Sequence, residues 1–258
     1  MNVSAKKSLG QHFLADENIL GVIGRLAGLQ PDDVALEIGP GHGVLTKYLA
    51  ERVGHVHAVE IDHNLEASLR ERFGQSSNVE LHFADALALD LAALDPAPTK
   101  FVANLPYNVA TPLVVESLDG LPSVRAWTVM VQREVADRFF AEPGTKAYGG
   151  VSVLVQLATE KTGFHAVSRT VFRPQPNVDS ALVAFRRIEA PPTFARVKNI
   201  VSASFAHRRK TLPNSLELVG LATREQASAA LGEIGHDPAT RAEALTPREF
   251  VALADALP

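Results

Sequence analysis

A glycine-rich stretch between two apolar segments is the feature that most restricts how this chain can fold. Residues 34–38 are typical of a buried strand, and a helix is predicted from residue 44 to about residue 52. Gly39, Gly41 and Gly43 lie between these two segments. In such a strand–loop–helix unit the backbone approaches a ligand closely, and the N-terminus of the helix faces that ligand. The stretch therefore predicts a ligand-binding unit.

An acidic residue follows this unit at an informative distance. The next predicted strand, residues 55–61, carries Glu60, which lies 21 residues after Gly39. This is about the spacing at which an acid holds ribose hydroxyls. The dinucleotide fingerprint would require glycine at position 44, where this chain has Val44, so a nicotinamide-dependent dehydrogenase is disfavoured. Together, loop and acid indicate an adenosine-containing cofactor.

Strands and helices alternate through the first 190 residues. Further strands are predicted at 79–84, 100–103, 126–131, 163–167 and 180–185, with helices at 65–73, from 111 and at 151–158. This alternation predicts an α/β fold with a parallel sheet and right-handed crossovers. Asp85 follows the third strand of the sheet and is a candidate acceptor for an adenine amino group. Residues 169–178 are predicted to form an extended loop because of their prolines.

The stretch from Asn104 to Asn108, Asn-Leu-Pro-Tyr-Asn, follows the strand at 100–103. Open α/β sheets bind ligands at such carboxyl ends. The Asn104 side-chain carbonyl and the Leu105 backbone carbonyl could accept both hydrogens of an exocyclic amino group, while Tyr107 offers a face for stacking. Holding both hydrogens would direct the nitrogen lone pair at an electrophile, which is catalysis by orientation. An ordinary turn with Tyr107 half buried is the alternative.

The composition changes after residue 190. Pro191 and Pro192 mark a boundary, beyond which only helices are predicted, so we divide the chain into an α/β domain at 1–190 and a small helical domain at 191–258. Residues 161–210 contain ten Lys and Arg but only two acids, a local charge of +8 within a chain of net charge −4. This asymmetry predicts a basic face on an acidic body.

Several classes of protein are excluded by composition. The absence of cysteine excludes disulfides, thiolate nucleophiles and methyl transfer through a cysteine adduct. Neither a membrane-spanning segment nor a secretory signal is visible, so we expect a cytoplasmic protein without membrane contacts. His55 and His57 share one face of a strand, but two ligands do not make a metal site, and we predict none.

Five motifs in order resemble the ribosomal RNA adenine N6-dimethyltransferases, closest to the bacterial small-subunit type. They are Gly10–Leu14 (Gly-Gln-His-Phe-Leu), Glu37–Gly41 (Glu-Ile-Gly-Pro-Gly), Asn104–Asn108, Phe172–Ser180 (Phe-x-Pro-x-Pro-x-Val-Asp-Ser) and Arg208–Leu212 (Arg-Arg-Lys-Thr-Leu). The resemblance covers nearly the whole chain. It implies a Rossmann-like S-adenosylmethionine-dependent methyltransferase fold, with S-adenosylmethionine as methyl donor and no metal. The implied reaction dimethylates N6 of two adjacent adenosines in a hairpin loop near the 3′ end of 16S rRNA in the small ribosomal subunit.

The resemblance also implies roles for individual residues. His12 and Leu14 would flank the methionine part of the cofactor, Gly39 would approach its amino-acid moiety, Glu60 would hold the ribose, and Asp85 the adenine. Gly41 would also contact the cofactor. Asn104 and Leu105 would lie where cofactor and target base meet, and Tyr107 and Phe172 would sandwich the base, which must leave its stack. Arg208, Arg209 and Lys210 would bind RNA. Pro213 departs from the family, which usually has a basic residue there, so one phosphate contact is in doubt.

Two other functions stay open at this point. One is the related methylation of large-subunit rRNA, whose motifs overlap almost entirely with these. The stretches Tyr148–Gly150 and 172–176 favour the small-subunit enzyme. The other is a non-catalytic RNA-binding or ribosome-assembly factor on the same fold, which the intact cofactor and target motifs disfavour. We expect a monomer.

Overall fold

The computed structural model of the protein describes residues 12–14, 16 and 18–258. Gly10 and Gln11 of the first motif, and the basic arm before them, lie outside the described residues. The chain divides into two compact units, one comprising residues up to Ala136 with Lys161–Arg187, and the other Asp137–Glu160 with Ile188–Pro258. Each unit is described by itself.

The first unit is built on a mixed sheet. Its neighbouring strands run in the order β4-β3-β2-β5-β6-β9-β7, and a separate two-stranded sheet pairs β1 with β8. The strands are β1 (Phe13–Leu14), β2 (Val34–Ile38), β3 (His55–Glu60), β4 (Val79–Phe83), β5 (Lys100–Asn104), β6 (Ala126–Gln132), β7 (Thr159–Val167), β8 (Phe172–Arg173) and β9 (Ser180–Arg187).

Strand order places a ligand crevice at the centre of this sheet. Strands β4, β3, β2, β5 and β6 pair in parallel, whereas β9 pairs antiparallel with β6. The chain proceeds from β2 to β3 and β4 on one side, then crosses to β5 on the other side of β2. Such a reversal opens a crevice at the carboxyl ends of the strands. The predicted α/β architecture is confirmed, and the glycine loop and Asn104 follow the two strands that border this crevice.

The helices largely agree with the apolar periodicity of the sequence. They are α1 (Asn18–Ala27), α2 (Val44–Ala50), α3 (Glu66–Phe73), α4 (Ala110–Gly120), α5 (Arg133–Phe139), α6 (Gly150–Ala158), α7 (Phe194–Ala206), α8 (Leu212–Val219), α9 (Arg224–Glu233) and α10 (Pro247–Ala256). Helices α5 and α8 were not predicted. In α8, Pro213 occupies the first turn. Backbone N–H groups in the first turn have no intrahelical acceptor, so proline removes no helix hydrogen bond there. None of the helices in the described ranges is long and apolar enough to cross a membrane.

The segment predicted as an extended loop at 169–178 contains a short strand. Phe172 pairs with Leu14, and Arg173 with Phe13, in the antiparallel β1–β8 sheet. The Phe172 ring is fully buried in an apolar cluster that includes Leu14 and Ile19. The prediction of a loop is therefore wrong at β8, because pairing with a segment about 160 residues away overrides the local signal of the prolines.

The second unit is helical. Tyr148 is fully buried, and its hydroxyl donates to the Leu245 carbonyl over 2.7 Å. Thr246 caps α10 with a capping box, since its hydroxyl accepts from the Glu249 amide and Glu249 accepts from the Thr246 amide. This unit includes residues 137–160 as well as the predicted helical region, so it differs from a domain that begins at residue 191. The junction after Arg187 nevertheless lies close to the predicted boundary at 190. A separate helical domain at 191–258 stays a prediction.

Candidate active site

The glycine loop turns sharply between β2 and α2. Gly41 has φ +58°, and a Cβ atom there would lie 2.7 Å from Phe13 Cδ1. A side chain at this position would therefore be strained by its backbone conformation and by its contact with β1. The Gly39 amide donates to the Val59 carbonyl over 2.9 Å and so joins the loop to β3. These contacts hold the loop backbone close to the space where a ligand would lie.

Glu60 connects the loop to the end of β3. Its Oε2 accepts from the Gly41 amide over 3.1 Å, and its Oε1 accepts from the Asp62 amide over 2.9 Å. The side chain is buried, and this burial raises the pKa of Glu60. Because the two carboxylate oxygens together have four lone pairs, the side chain retains acceptor capacity beyond these contacts. The carboxylate thus organises the loop and can also accept hydrogen bonds from a ligand.

The amide of Asn104 is held in a defined orientation. Its Nδ2 donates to the His12 backbone carbonyl over 3.0 Å. With Nδ2 engaged in this way, Oδ1 is the acceptor that Asn104 offers to a ligand. The turn that follows is closed by a 3.2 Å hydrogen bond from the Val109 amide to the Pro106 carbonyl. The predicted acceptor therefore lies on a braced turn at the end of β5.

Tyr107 is fixed at its hydroxyl end. The hydroxyl lies 2.7 Å from the Ser180 hydroxyl, and burial raises the pKa of Tyr107. The His12 ring lies 5.3 Å from the Tyr107 ring, centroid to centroid. His12 Nδ1 donates to the Pro174 carbonyl over 2.9 Å. These contacts restrict the orientation of both rings.

The rim near β4 combines an acid with apolar side chains. Asp85 is exposed, and its Oδ1 accepts from the Leu87 amide over 2.9 Å. The side chains of Leu87 and Ile61 are unusually exposed for large aliphatic residues, each at 46%. Exposed aliphatic side chains offer an apolar surface to a ligand. This apolar pair was not predicted from the sequence, although each member closely follows one of the predicted acids.

These groups surround one cavity of about 290 Å³. Its lining contains nine of the predicted site residues, which are His12, Leu14, Gly39, Gly41, Glu60, Asp85, Asn104, Leu105 and Tyr107. The structure therefore brings together residues spread over about 95 positions. Phe172 is not among the lining residues and is fully buried. Its position differs from the one that a stacking platform would require.

Glu37 lines the cavity, and no role was predicted for it from the sequence. It is almost fully buried, and its Oε2 accepts from the Thr46 hydroxyl over 2.6 Å. Burial raises the pKa of Glu37 to about 8, against the opposing effect of the Thr46 hydrogen bond, and the nearby Glu60 raises it further. Glu37 is therefore mostly protonated at pH 7. A glutamate within a buried strand, two residues before the first glycine of the loop, is the sequence signal that could have indicated Glu37.

The predicted basic residues differ in their environments. Arg208, Arg209 and Lys210 are exposed between α7 and α8 in the second unit. Arg187, in contrast, donates to the carbonyls of Leu118, Leu121 and Val124. Because its guanidinium stabilises the C-terminal end of α4, Arg187 is not part of a free basic face, and this element of the charge prediction is wrong.

The fold is the Rossmann-like fold of S-adenosylmethionine-dependent methyltransferases, as predicted. The chain is similar to the crystal structure of a dimethyladenosine transferase from Plasmodium falciparum, with a TM-score of 0.76 and 24% identity over 94% of this chain and 96% of the other. It is also similar to the crystal structure of the 23S rRNA methyltransferase ErmE, with a TM-score of 0.66 and 30% identity over 95% of this chain and 99% of the other.

The family follows from the sequence comparisons. The family model described as "Ribosomal RNA adenine dimethylase" matches residues 2–257. The relative named "Ribosomal RNA small subunit methyltransferase A" from Rubrobacter xylanophilus is 50% identical over 96% of this chain and 93% of its own length. The protein of the same name from Geobacillus kaustophilus is 43% identical over 98% and 91%, respectively. The chain belongs to the ribosomal RNA adenine dimethylase family.

Proposed function

We propose that this protein dimethylates N6 of two adjacent adenosines in a hairpin loop near the 3′ end of 16S rRNA, in the small subunit or its precursor, acting as a monomer. The observation that carries the proposal is the Asn104 amide, which is held by His12 at the cavity between β2 and β5. The names of relatives at 50% and 43% identity support the small subunit as the substrate.

The cavity fits S-adenosylmethionine by its chemistry. Glu60 has remaining acceptor capacity for ribose hydroxyls, the loop at Gly39 and Gly41 allows close approach, and Ile61 and Leu87 offer apolar cover for an adenine. Asp85 Oδ2 would accept from the adenine amino group, since Asp85 Oδ1 already accepts from the Leu87 amide. His12 and Leu14 would flank the methionine part. When bound, the cofactor supplies a methyl group activated by a positively charged sulfur.

The target base would be held at the Asn104 turn. Asn104 Oδ1 and the Leu105 carbonyl would accept the two N6 hydrogens and orient the nitrogen lone pair. Tyr107 would stack against one face of the adenine, which must leave its RNA stack to enter the site. The proposal needs no general base, because the amine becomes strongly acidic once it is alkylated and can release its proton to water. Phe172, which is buried, is better assigned to supporting β1 than to stacking on the base.

The exposed cluster Arg208, Arg209 and Lys210 would bind RNA phosphates. Three adjacent cations on a short exposed segment are suited to backbone contacts that position the RNA without reading its sequence. Pro213 lies in the first turn of α8, so a residue that suits a helix start stands here in place of the basic residue usual in the family.

A methyl-transfer assay on defined ribosomal subunits tests the proposal. Small and large subunits that lack these methyl groups are incubated separately with the protein and S-adenosylmethionine, and nucleosides are quantified by mass spectrometry. We expect N6,N6-dimethyladenosine from the small subunit only. Asn104→Ala should reduce the rate by about 100-fold, as expected for loss of orientation, while cofactor binding measured by calorimetry persists.

The same assay distinguishes the alternatives. Product from the large subunit alone would support the activity named for the ErmE structure, to which this chain is 30% identical. Absence of product from both subunits, with tight binding to the small subunit, would support a non-catalytic assembly factor and refute the proposal.

A further inference from the structure

A group of histidine and glutamate side chains lies on the sheet away from the cavity. His55 and His57 project from β3, and Glu80 and His82 from β4. In the parallel register His57 is opposite Glu80 and Val59 is opposite His82. Since side chains alternate along a strand, all four share one face of the sheet. None of the four lines the cofactor cavity.

The donor atoms of this group have the spacing of a metal site. His57 Nδ1 lies 3.1 Å from His82 Nε2 and 3.5 Å from Glu80 Oε2. Glu80 Oε2 lies 3.7 Å from His55 Nε2, and Glu80 Oε1 lies 3.7 Å from His82 Nε2. Ligands about 2.0–2.1 Å from a tetrahedral metal are separated from one another by about 3.3–3.4 Å. The measured separations lie on both sides of that value.

The hydrogen bonds around the group leave one nitrogen unexplained. His57 Nε2 donates to the Pro96 carbonyl over 2.9 Å, so Nδ1 carries no proton. The lone pair of Nδ1 is then available to a metal. A His82–His57 hydrogen bond would satisfy those two rings without a metal. It would not satisfy His55 Nε2, which is buried and has no hydrogen-bond partner among the described residues. A buried orphan nitrogen aimed into a cluster of donors indicates a missing ligand.

We propose that His55, His57 and Glu80 hold a divalent transition metal such as Zn²⁺, with His82 as an adjoining donor beside His57. Imidazole and carboxylate donors suit zinc. His57 precedes Glu60 by three residues, about 10 Å along β3, so the metal would lie remote from methyl transfer. It would link β3 to the edge strand β4 and, through His57, to the segment that carries Pro96.

Direct binding of Zn²⁺ tests this site. Calorimetry on the full-length protein without an affinity tag should give one equivalent of bound Zn²⁺, and Zn²⁺ in excess should raise Tm by several degrees because it binds the folded state selectively. Co²⁺ in place of Zn²⁺ should give the intense visible absorption of a tetrahedral complex.

Two variants test the ligands individually. Glu80 is half exposed and His82 is near the surface, so Glu80→Gln and His82→Gln should fold normally, as checked by circular dichroism. Each should weaken Zn²⁺ affinity by at least about tenfold, the lower end of the effect of disturbing a metal's surroundings. His63→Gln is the matched control, because His63 and Glu66 form an exposed pair 3.3 Å apart on the same unit.

Three results would overturn the proposal. They are an absence of stoichiometric Zn²⁺ binding, an affinity that Glu80→Gln and His82→Gln leave unchanged, and an equal loss in His63→Gln. The last result would identify non-specific surface binding.

Discussion

Truncation of Phe172 distinguishes two roles for this ring. In the structure the ring is fully buried in the cluster with Leu14 and Ile19, and its backbone pairs with β1. Phe172→Ala should therefore lower the free energy of unfolding by about 3–5 kcal/mol. For a chain of this size each kcal/mol corresponds to about 2–4 °C, so Tm should fall by about 6–20 °C.

The assay pairs thermal unfolding with methyl transfer per folded molecule. Phe172→Leu is the matched control, because leucine keeps most of the buried volume but cannot stack as an aromatic ring. With Phe172 in the core, the leucine variant should retain most of its stability and its turnover. An alanine variant with unchanged Tm, together with a leucine variant that has lost tenfold or more of its methyl transfer, would refute this reasoning and make Phe172 a stacking platform.

Three further predictions follow from single contacts. Glu60→Gln should weaken S-adenosylmethionine binding by at least about tenfold in calorimetry, since hydrogen bonds to a charged group contribute about 1.5–3 kcal/mol; unchanged affinity in the folded variant would remove Glu60 from the site. Because burial raises the pKa of Glu37 from 4.5 to about 8, folding favours its protonated form. The contribution of Glu37 to stability should be largest below pH 4.5 and should fall between pH 4.5 and about 8, by up to about 1.4 kcal/mol per pH unit. Glu37→Gln should flatten this dependence in denaturant titrations, and an equal slope in both proteins would contradict the buried acid. Replacing Arg208, Arg209 and Lys210 together should reduce the salt slope of RNA binding by about 0.9 per lost duplex phosphate contact, and an equal slope would mean that the cluster is only solvated.

Much of the first unit could be predicted because its signals are local. The apolar run at Val34–Ile38 and the glycines after it determine a strand and a turn within about ten residues, and the structure contains both. The same holds for Thr246, whose capping box involves residues three apart. Helix α8 was missed because Pro213 reads as a helix breaker unless its place in the first turn is known.

The motifs led to the family and to seven residues of the cavity, since each motif is a short segment whose chemistry can be read directly. Glu60 and Asp85 followed from their positions at the ends of predicted strands. What only the tertiary structure decided depends on segments far apart in the chain. The antiparallel partner of β8 buries Phe172, and the C-terminal end of α4 engages Arg187 instead of leaving it on a basic face. The parallel register of β3 and β4 likewise adds Glu80 and His82 to a histidine pair that could not hold a metal alone. The sequence indicates which side chains share one face of a strand or helix. The burial of a side chain and the number of ligands around a site depend on which strands pair, and strand pairing is a property of the whole sheet.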